Sequence, residues 1–296
     1  MRFVTFQQVG KEPRPGLLLG DAVVDLAACG ANADFADMNA VIRGISEEQL
    51  AVLGQVCTGR RRPHAIIPLA DARLCAPIMR PLHDMLCVGV NYRAHLEETI
   101  RHFDATFPEP ERPVFFTKRA LRVTGPDEPL EAHAELDVQL DYEVELAVVL
   151  GKGGRDIAPE RVAEHIFGYT IVNDVSARAL QRIHGQWFRG KSLDGFAAMG
   201  PCIVHAGSMP FPPLLGVRSR VNGELRQDSC TSRFLVDIPH LVAELSLGMT
   251  LEAGDIIATG TPSGVGMGFD PPRYMQSGDV VECEIDAIGI LRNTIH

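Results

Sequence analysis

Asp141, Glu143 and Glu145 alternate with Tyr142, Val144 and Leu146, then give way to the apolar run Ala147-Val148-Val149-Leu150. The alternation predicts one extended strand over residues 140–150, in which side chains two apart share a face at about 7 Å spacing. Three carboxylates so placed repel one another and, on a buried strand, lose hydration, so they need protonation, basic partners or a cation. Hard oxygen donors select Mg2+, Mn2+ or Ca2+. An edge strand with one solvated acidic face fits the same pattern, and the triplet alone leaves both readings open.

Other residues have chemistry of the kind such a cation would need. Asp174 follows the apolar segment 167–172 and offers a further carboxylate, or else the N-cap of a helix near Ser176. His95 and Glu98 stand three apart, so on a helix they share a face; a carboxylate beside an imidazole fixes its tautomer and raises its basicity, as a general base requires. A surface pair is the plainer alternative. Lys191, beside the only tryptophan, Trp187, can reach a cleft to stabilise an oxyanion, or lie along the surface with its stem packed. The loop Gly260-Thr261-Pro262-Ser263-Gly264-Val265-Gly266-Met267-Gly268 offers consecutive amides to an anion, but it lacks the nucleotide-binding patterns.

The elements that must position these groups are mostly short strands. Strands are predicted near 2–7, 16–19 and 22–26, with a hairpin at Gly20-Asp21, followed by helical spacing over 38–56 broken near Gly44 and Ser46. Prolines at 68, 77 and 81 mark a connector, which places a domain boundary near residue 75: a small α+β unit over 1–75 and a larger unit over 76–296. In the larger unit, strands are expected at 85–90, 113–118, 167–172, 256–259 and 280–285. Helices are expected at 95–103, 161–166 and 238–247, a flap at 107–113, and a hairpin turning on Asn222-Gly223. The fold class is therefore α+β, mostly β, with mixed strand pairing.

Composition sets outer limits. The 296 residues are 46% hydrophobic and 22% charged, enough for a substantial core. With 28 Lys and Arg against 38 Asp and Glu, the net charge of -10 argues against a nucleic-acid partner. No apolar run reaches the roughly 20 residues of a membrane helix. Seven cysteines with no Cys-x-x-Cys pair, and a strand-like start at Arg2-Phe3-Val4-Thr5-Phe6, lead to the expectation of reduced thiols in a cytoplasmic protein.

In order, the segments Val88-Gly89-Val90-Asn91-Tyr92-Arg93-Ala94-His95, Asp141-Tyr142-Glu143-Val144-Glu145-Leu146, Val172-Asn173-Asp174-Val175-Ser176-Ala177-Arg178, Arg189-Gly190-Lys191-Ser192 and Gly260-Thr261-Pro262-Ser263-Gly264-Val265-Gly266 resemble the fumarylacetoacetate hydrolase family over residues 85–295. The resemblance implies a mixed β-sandwich or β-roll catalytic domain, assembled as a homodimer, with Mg2+ or Mn2+ held by Glu143, Glu145 and Asp174. It assigns His95 and Glu98 to a water-activating dyad on a lid. Lys191, Gln181 and Arg178 go to substrate contact, and Gly260 and Thr261 to a substrate carboxylate. The chain looks like the shorter bacterial-type members, because the segment before His95 lacks an additional metal-binding Asp. It departs from the family pattern where Lys118 is followed by Arg119-Ala120 instead of two prolines.

The implied activity is metal-dependent hydrolysis of a carbon–carbon bond in a 2,4-dioxo acid of aromatic-compound catabolism, with the cation stabilising an enolate. The alternatives on the same site are an oxaloacetate-type 2-oxo acid decarboxylase and a 2-hydroxy-diene-dioate isomerase. A non-catalytic scaffold is the reading from another class, and the presence of every ligand carboxylate and of the His-Glu pair weighs against it.

Overall fold

A computed structural model describes residues 1–102, 106–107 and 109–296. Phe103, the expected end of one helix, and Pro108, in the expected flap, lie outside the described residues.

Val144–Leu150 is buried at every position, as a strand sandwiched on both faces must be, and its side chains are apolar except Glu145. It pairs antiparallel with Ile166–Asp174 on one side and Ile256–Ala258 on the other. The sheet continues from Ile166–Asp174 through Ala197–His205, Arg2–Gln7, Arg14–Leu19 and Ala22–Asp25 to Ile67–Pro68, with Arg73–Cys75 also on Arg2–Gln7. In the other direction it continues through Met85–Gly89 to Val114–Lys118. Ile256–Ala258 runs parallel to Met85–Gly89, so the sheet is mixed. A second, antiparallel sheet orders Glu224–Cys230, Gly216–Val221, Val280–Ile285 and Gly289–Thr294.

The expected single strand over 140–150 is broken. Leu140–Asp141 pairs with Ser176–Ala177 in a separate two-stranded ribbon, and the large sheet resumes only at Val144. The Asp141 carboxylate accepts the amide of the adjacent Tyr142 and, from the distant glycine-rich loop, those of Gly266 and Met267, which turns the chain between the two strands. Asp141 therefore does not share a sheet face with Glu145.

Residues before 75 contribute strands to the same large sheet, because Arg2–Gln7 lies antiparallel to Ala197–His205 with Phe3 opposite Ile203. Two helices, Met38–Gly44 and Glu47–Cys57, flank the break expected near Gly44, and Ser46 caps the second with a reciprocal Gln49 capping box. At the expected hairpin, Asn222 and Gly223 both take positive φ, joining Gly216–Val221 to Glu224–Cys230.

Candidate active site

The carboxylates come together because their strands are neighbours. Antiparallel register sets Val172 opposite Glu145 and Asn173 opposite Val144. Glu143, in the link just before the strand, is pinned twice: its amide donates to Asn173 Oδ1 at 3.0 Å, and its carbonyl accepts the Asp174 amide at 2.9 Å. The result is a buried cluster in which Glu143, Glu145 and Asp174 each present an oxygen within 4.8 Å of the others. The alternative cap role of Asp174 is not taken: it ends the strand Ile166–Asp174, and the helix Arg178–Ile183 starts from Ala177 with no side-chain cap.

Three cations compensate these charges. Lys191 Nζ lies 2.7 Å from Glu143 Oε2 and 2.7 Å from Asp174 Oδ2. Lys118 Nζ donates to Asp174 Oδ1 at 2.6 Å and to the Val175 carbonyl at 2.9 Å. Arg178 bridges Glu143 Oε1 at 2.7 Å and Asp141 Oδ2 at 2.9 Å. For Glu143, burial alone raises the carboxyl pKa, but Lys191, Arg178 and His95 outweigh it and bring it down to about 2. Glu145 goes the other way: burial, with Asp174 and Glu143 beside it, pushes its carboxyl well above the ordinary range, although the Gly260 amide donates to it at 2.8 Å. Burial lowers the Lys118 ammonium, while on Lys191 the pull of Asp174 and Glu143 prevails over burial and raises it.

Counting Asp141, four buried carboxylates face three buried cations, leaving one excess negative charge, with Glu145 the least compensated. Clustered hard oxygens, a net negative charge and a carboxylate held up by its neighbours are what a divalent cation suits, so the donor set fits Mg2+ or Mn2+.

The helix Arg93–His102 brings His95 over this cluster. Its Nδ1 lies 2.8 Å from Glu98 Oε2, and both side chains are buried; Glu98 Oε1 accepts the Gly264 amide at 2.9 Å. The glycine-rich loop thus spends its amides on the chain's own carboxylates: Gly260 on Glu145, Gly264 on Glu98, Gly266 and Met267 on Asp141. Gly260 takes φ +95°, and a Cβ there would stand 2.8 Å from the Asn91 Cβ, so the close approach requires glycine. The amide of Gly260, expected to meet a substrate carboxylate, is committed to Glu145.

Gln181 and Thr261 line the same cavity as His95, Glu143, Glu145, Arg178 and Lys191. Gln181 Oε1 accepts from Arg178 at 3.1 Å, while Thr261 donates to the Val144 carbonyl at 2.9 Å and accepts from Gln227 at 2.8 Å. The cavity is small, with a volume of about 30 Å³. Trp187 narrows it, packed edge-on to Phe116 at 5.3 Å and against Gly89, where a Cβ would meet its ring at 2.2 Å.

Sequence reasoning placed Lys118 only at a strand end, and missed its hold on Asp174. Its signal was available: a lysine closing the apolar run Val114-Phe115-Phe116 parallels Asp174 closing its own strand. Gln227 was also missed, since nothing in a hairpin strand marks a glutamine that ties Val144 to Thr261.

The family model described as fumarylacetoacetate (FAA) hydrolase C-terminal matches residues 84–296. The chain belongs to the fumarylacetoacetate hydrolase family. It is 52% identical to the oxaloacetate tautomerase YisK of Bacillus subtilis (strain 168), over 227 residues that make up 77% of this chain and 74% of that protein. Among solved structures, it resembles the fumarylacetoacetate hydrolase of the psychrophile Exiguobacterium antarcticum, with a TM-score of 0.83 and 41% identity over 100% of this chain and 99% of the other. It also resembles the maleylpyruvate hydrolase of Sphingobium sp. SYK-6, solved with manganese(II) and pyruvate, with a TM-score of 0.78 and 30% identity over 100% and 98%. The expected α+β, mostly β class and family fold are thus established for this fumarylacetoacetate hydrolase family member. Among the described residues, no helix is long and apolar enough to cross a membrane.

Proposed function

We propose that this chain is a divalent-metal-dependent tautomerase that interconverts the keto and enol forms of a small 2-oxo dicarboxylic acid of the oxaloacetate type. The observation that carries the reading is the meeting, in one narrow cavity, of the Glu143, Glu145 and Asp174 oxygens with a histidine held by its own carboxylate. Similarity to a relative named as an oxaloacetate tautomerase supports it over the hydrolase expected from the sequence.

Mg2+ or Mn2+ held by Glu143, Glu145 and Asp174 would supply a positive centre beside the 2-oxo acid group, acidifying its C3 hydrogens. The chain's own residues then move the proton. With Nδ1 engaged by Glu98, His95 is left with Nε2 to take a proton from C3. The C3–H electron pair becomes the C2–C3 double bond, the C2 oxygen takes a proton from water to complete the enol, and His95 gives the C3 proton up to water; the reverse sequence restores the ketone. The Lys191 ammonium adds fixed positive charge where that oxygen becomes negative. Trp187 and Phe116, packed edge-on at 5.3 Å, form the apolar wall of the cavity in which this transfer occurs.

This chemistry needs no nucleophilic water. Hydrolysis of an acylpyruvate is the second reading, favoured by the likeness to the maleylpyruvate hydrolase, and in it the same His95–Glu98 pair would activate water. Decarboxylation of an oxaloacetate-type acid and isomerisation of a 2-hydroxy-diene-dioate would draw on the same enolate stabilisation. The proposal keeps Gln181, Arg178 and Thr261 as substrate-side residues, and retains the expected cytoplasmic homodimer. With Mg2+ in deuterated water, the enzyme is expected to speed exchange at C3 of oxaloacetate. Exchange at the buffer rate, alongside cleavage of acylpyruvates, would favour the hydrolase.

A further inference from the structure

His95 has a neighbour on its helix that the mechanism leaves unused. Thr99 is four residues on, hence on the same face of Arg93–His102, and is 3% exposed. It lines the cavity beside His95. A helical threonine can give its hydroxyl to a carbonyl three or four residues back. Thr99 Oγ1 does not: it is fully buried and has no hydrogen-bond partner among the described residues. Its cavity neighbour Thr261 already donates to Val144 and accepts from Gln227, and Arg178 and Lys191 are both bound to Glu143. Away from the charged cluster the wall is apolar, formed by Val88, Val90, Phe116 and Met267. An unpaired hydroxyl held in such a wall destabilises the chain unless something in the cavity accepts from it.

We propose that Thr99 is a specificity-determining residue whose hydroxyl donates to the distal carboxylate of a four-carbon 2-oxo dicarboxylate. The inference rests on the tautomerase reading for the layout of the substrate. The 2-oxo acid end belongs to the carboxylate cluster and Lys191, and His95 addresses C3. The next group along the substrate is the carboxylate on C3, and the next residue along that face of the helix is Thr99, about 6 Å farther along the axis. The hydroxyl selects dicarboxylates over 2-oxo acids that end in a methyl group, and sets the C3 hydrogen toward His95.

Binding tests this independently of catalysis. Malate and lactate share a 2-hydroxy acid head and differ in the distal carboxylate, so each is titrated calorimetrically into Mg2+-loaded protein. Thr99→Val, which keeps the shape and removes the hydroxyl, is expected to weaken malate about tenfold, as loss of one hydrogen bond to a charged group does, and to leave lactate unchanged. Thr99→Ser is expected to bind malate as the unsubstituted chain does. In deuterium exchange, Thr99→Val is expected to raise KM for oxaloacetate and not for pyruvate. Equal weakening of malate and lactate, or no weakening of malate, overturns the proposal. If the unsubstituted enzyme fails to exchange oxaloacetate at all, the tautomerase reading falls, and the malate and lactate titrations still decide the role of Thr99.

Discussion

His95 Nδ1 stands 2.8 Å from Glu98 Oε2, with both side chains about nine-tenths buried, and the far oxygen of Glu98 is fixed by the Gly264 amide. The imidazole is thus held in one orientation with one nitrogen left for substrate. His95→Ala is expected to lower turnover by about 10²–10⁴, the usual contribution of a positioned general base. Glu98→Gln is expected to cost less, because the ring keeps a neighbour but loses the negative charge that supports the imidazolium. Steady-state rates with Mg2+ saturating check both.

Gly268 guards that orientation. A Cβ there would stand 1.8 Å from Glu98 Oε1, so Gly268→Ala must push the carboxylate off His95. Misplacement by about 1 Å can cost on the order of 10² in rate. Activity should fall at least tenfold while the melting temperature moves little, since the clash falls on the end of a flexible side chain.

Glu145 is the carboxylate of the cluster supported by an amide, whereas Glu143 and Asp174 each meet ammonium groups. Replacing it by its neutral isostere removes an ionisable group whose charged form burial, Asp174 and Glu143 disfavour. Metal-free Glu145→Gln is therefore expected to melt no lower than the unsubstituted protein, and to lose the rise in melting temperature produced by millimolar Mg2+. Retention of the full Mg2+ shift would place the cation elsewhere.

Phe3 is fully buried in the first strand of the large sheet, 5.2 Å centroid to centroid from Phe167. Phe3→Ala should cost about 3–5 kcal/mol, the usual range for an aromatic lost from a core. A denaturant titration checks this. A cost below 1 kcal/mol would mean that the N-terminal strands pack independently of residues 166–205.

How much of this was visible in the sequence depended on the range of the interaction. Short-range signals carried through: Asn222-Gly223 turns a hairpin because both residues accept positive φ, and the helical spacing over 38–56 breaks near Gly44 and Ser46 into two helices. Burial of Ala147–Leu150 followed from its unbroken apolar run. The break at Tyr142–Glu143 was not legible, because it depends on amides of residues 266 and 267, over 120 positions away. The same holds for the strand Ala197–His205, whose small residues, glycine and proline hide a central position that only its pairing with Arg2–Gln7 and Ile166–Asp174 explains. At the site, residue types revealed which side chains could do chemistry. Which cation meets which carboxylate, and that the glycine loop serves the chain's own carboxylates, emerged only from the fold.

The most direct test of the central claim follows the enol absorbance of freshly dissolved oxaloacetate, with and without enzyme, under Mg2+ and under chelator. The account predicts that Mg2+-loaded enzyme speeds the decay to the ketone without forming pyruvate, and that chelator or His95→Ala returns it to the buffer rate. Decay unaffected by enzyme, or decay matched mole for mole by pyruvate, would contradict it.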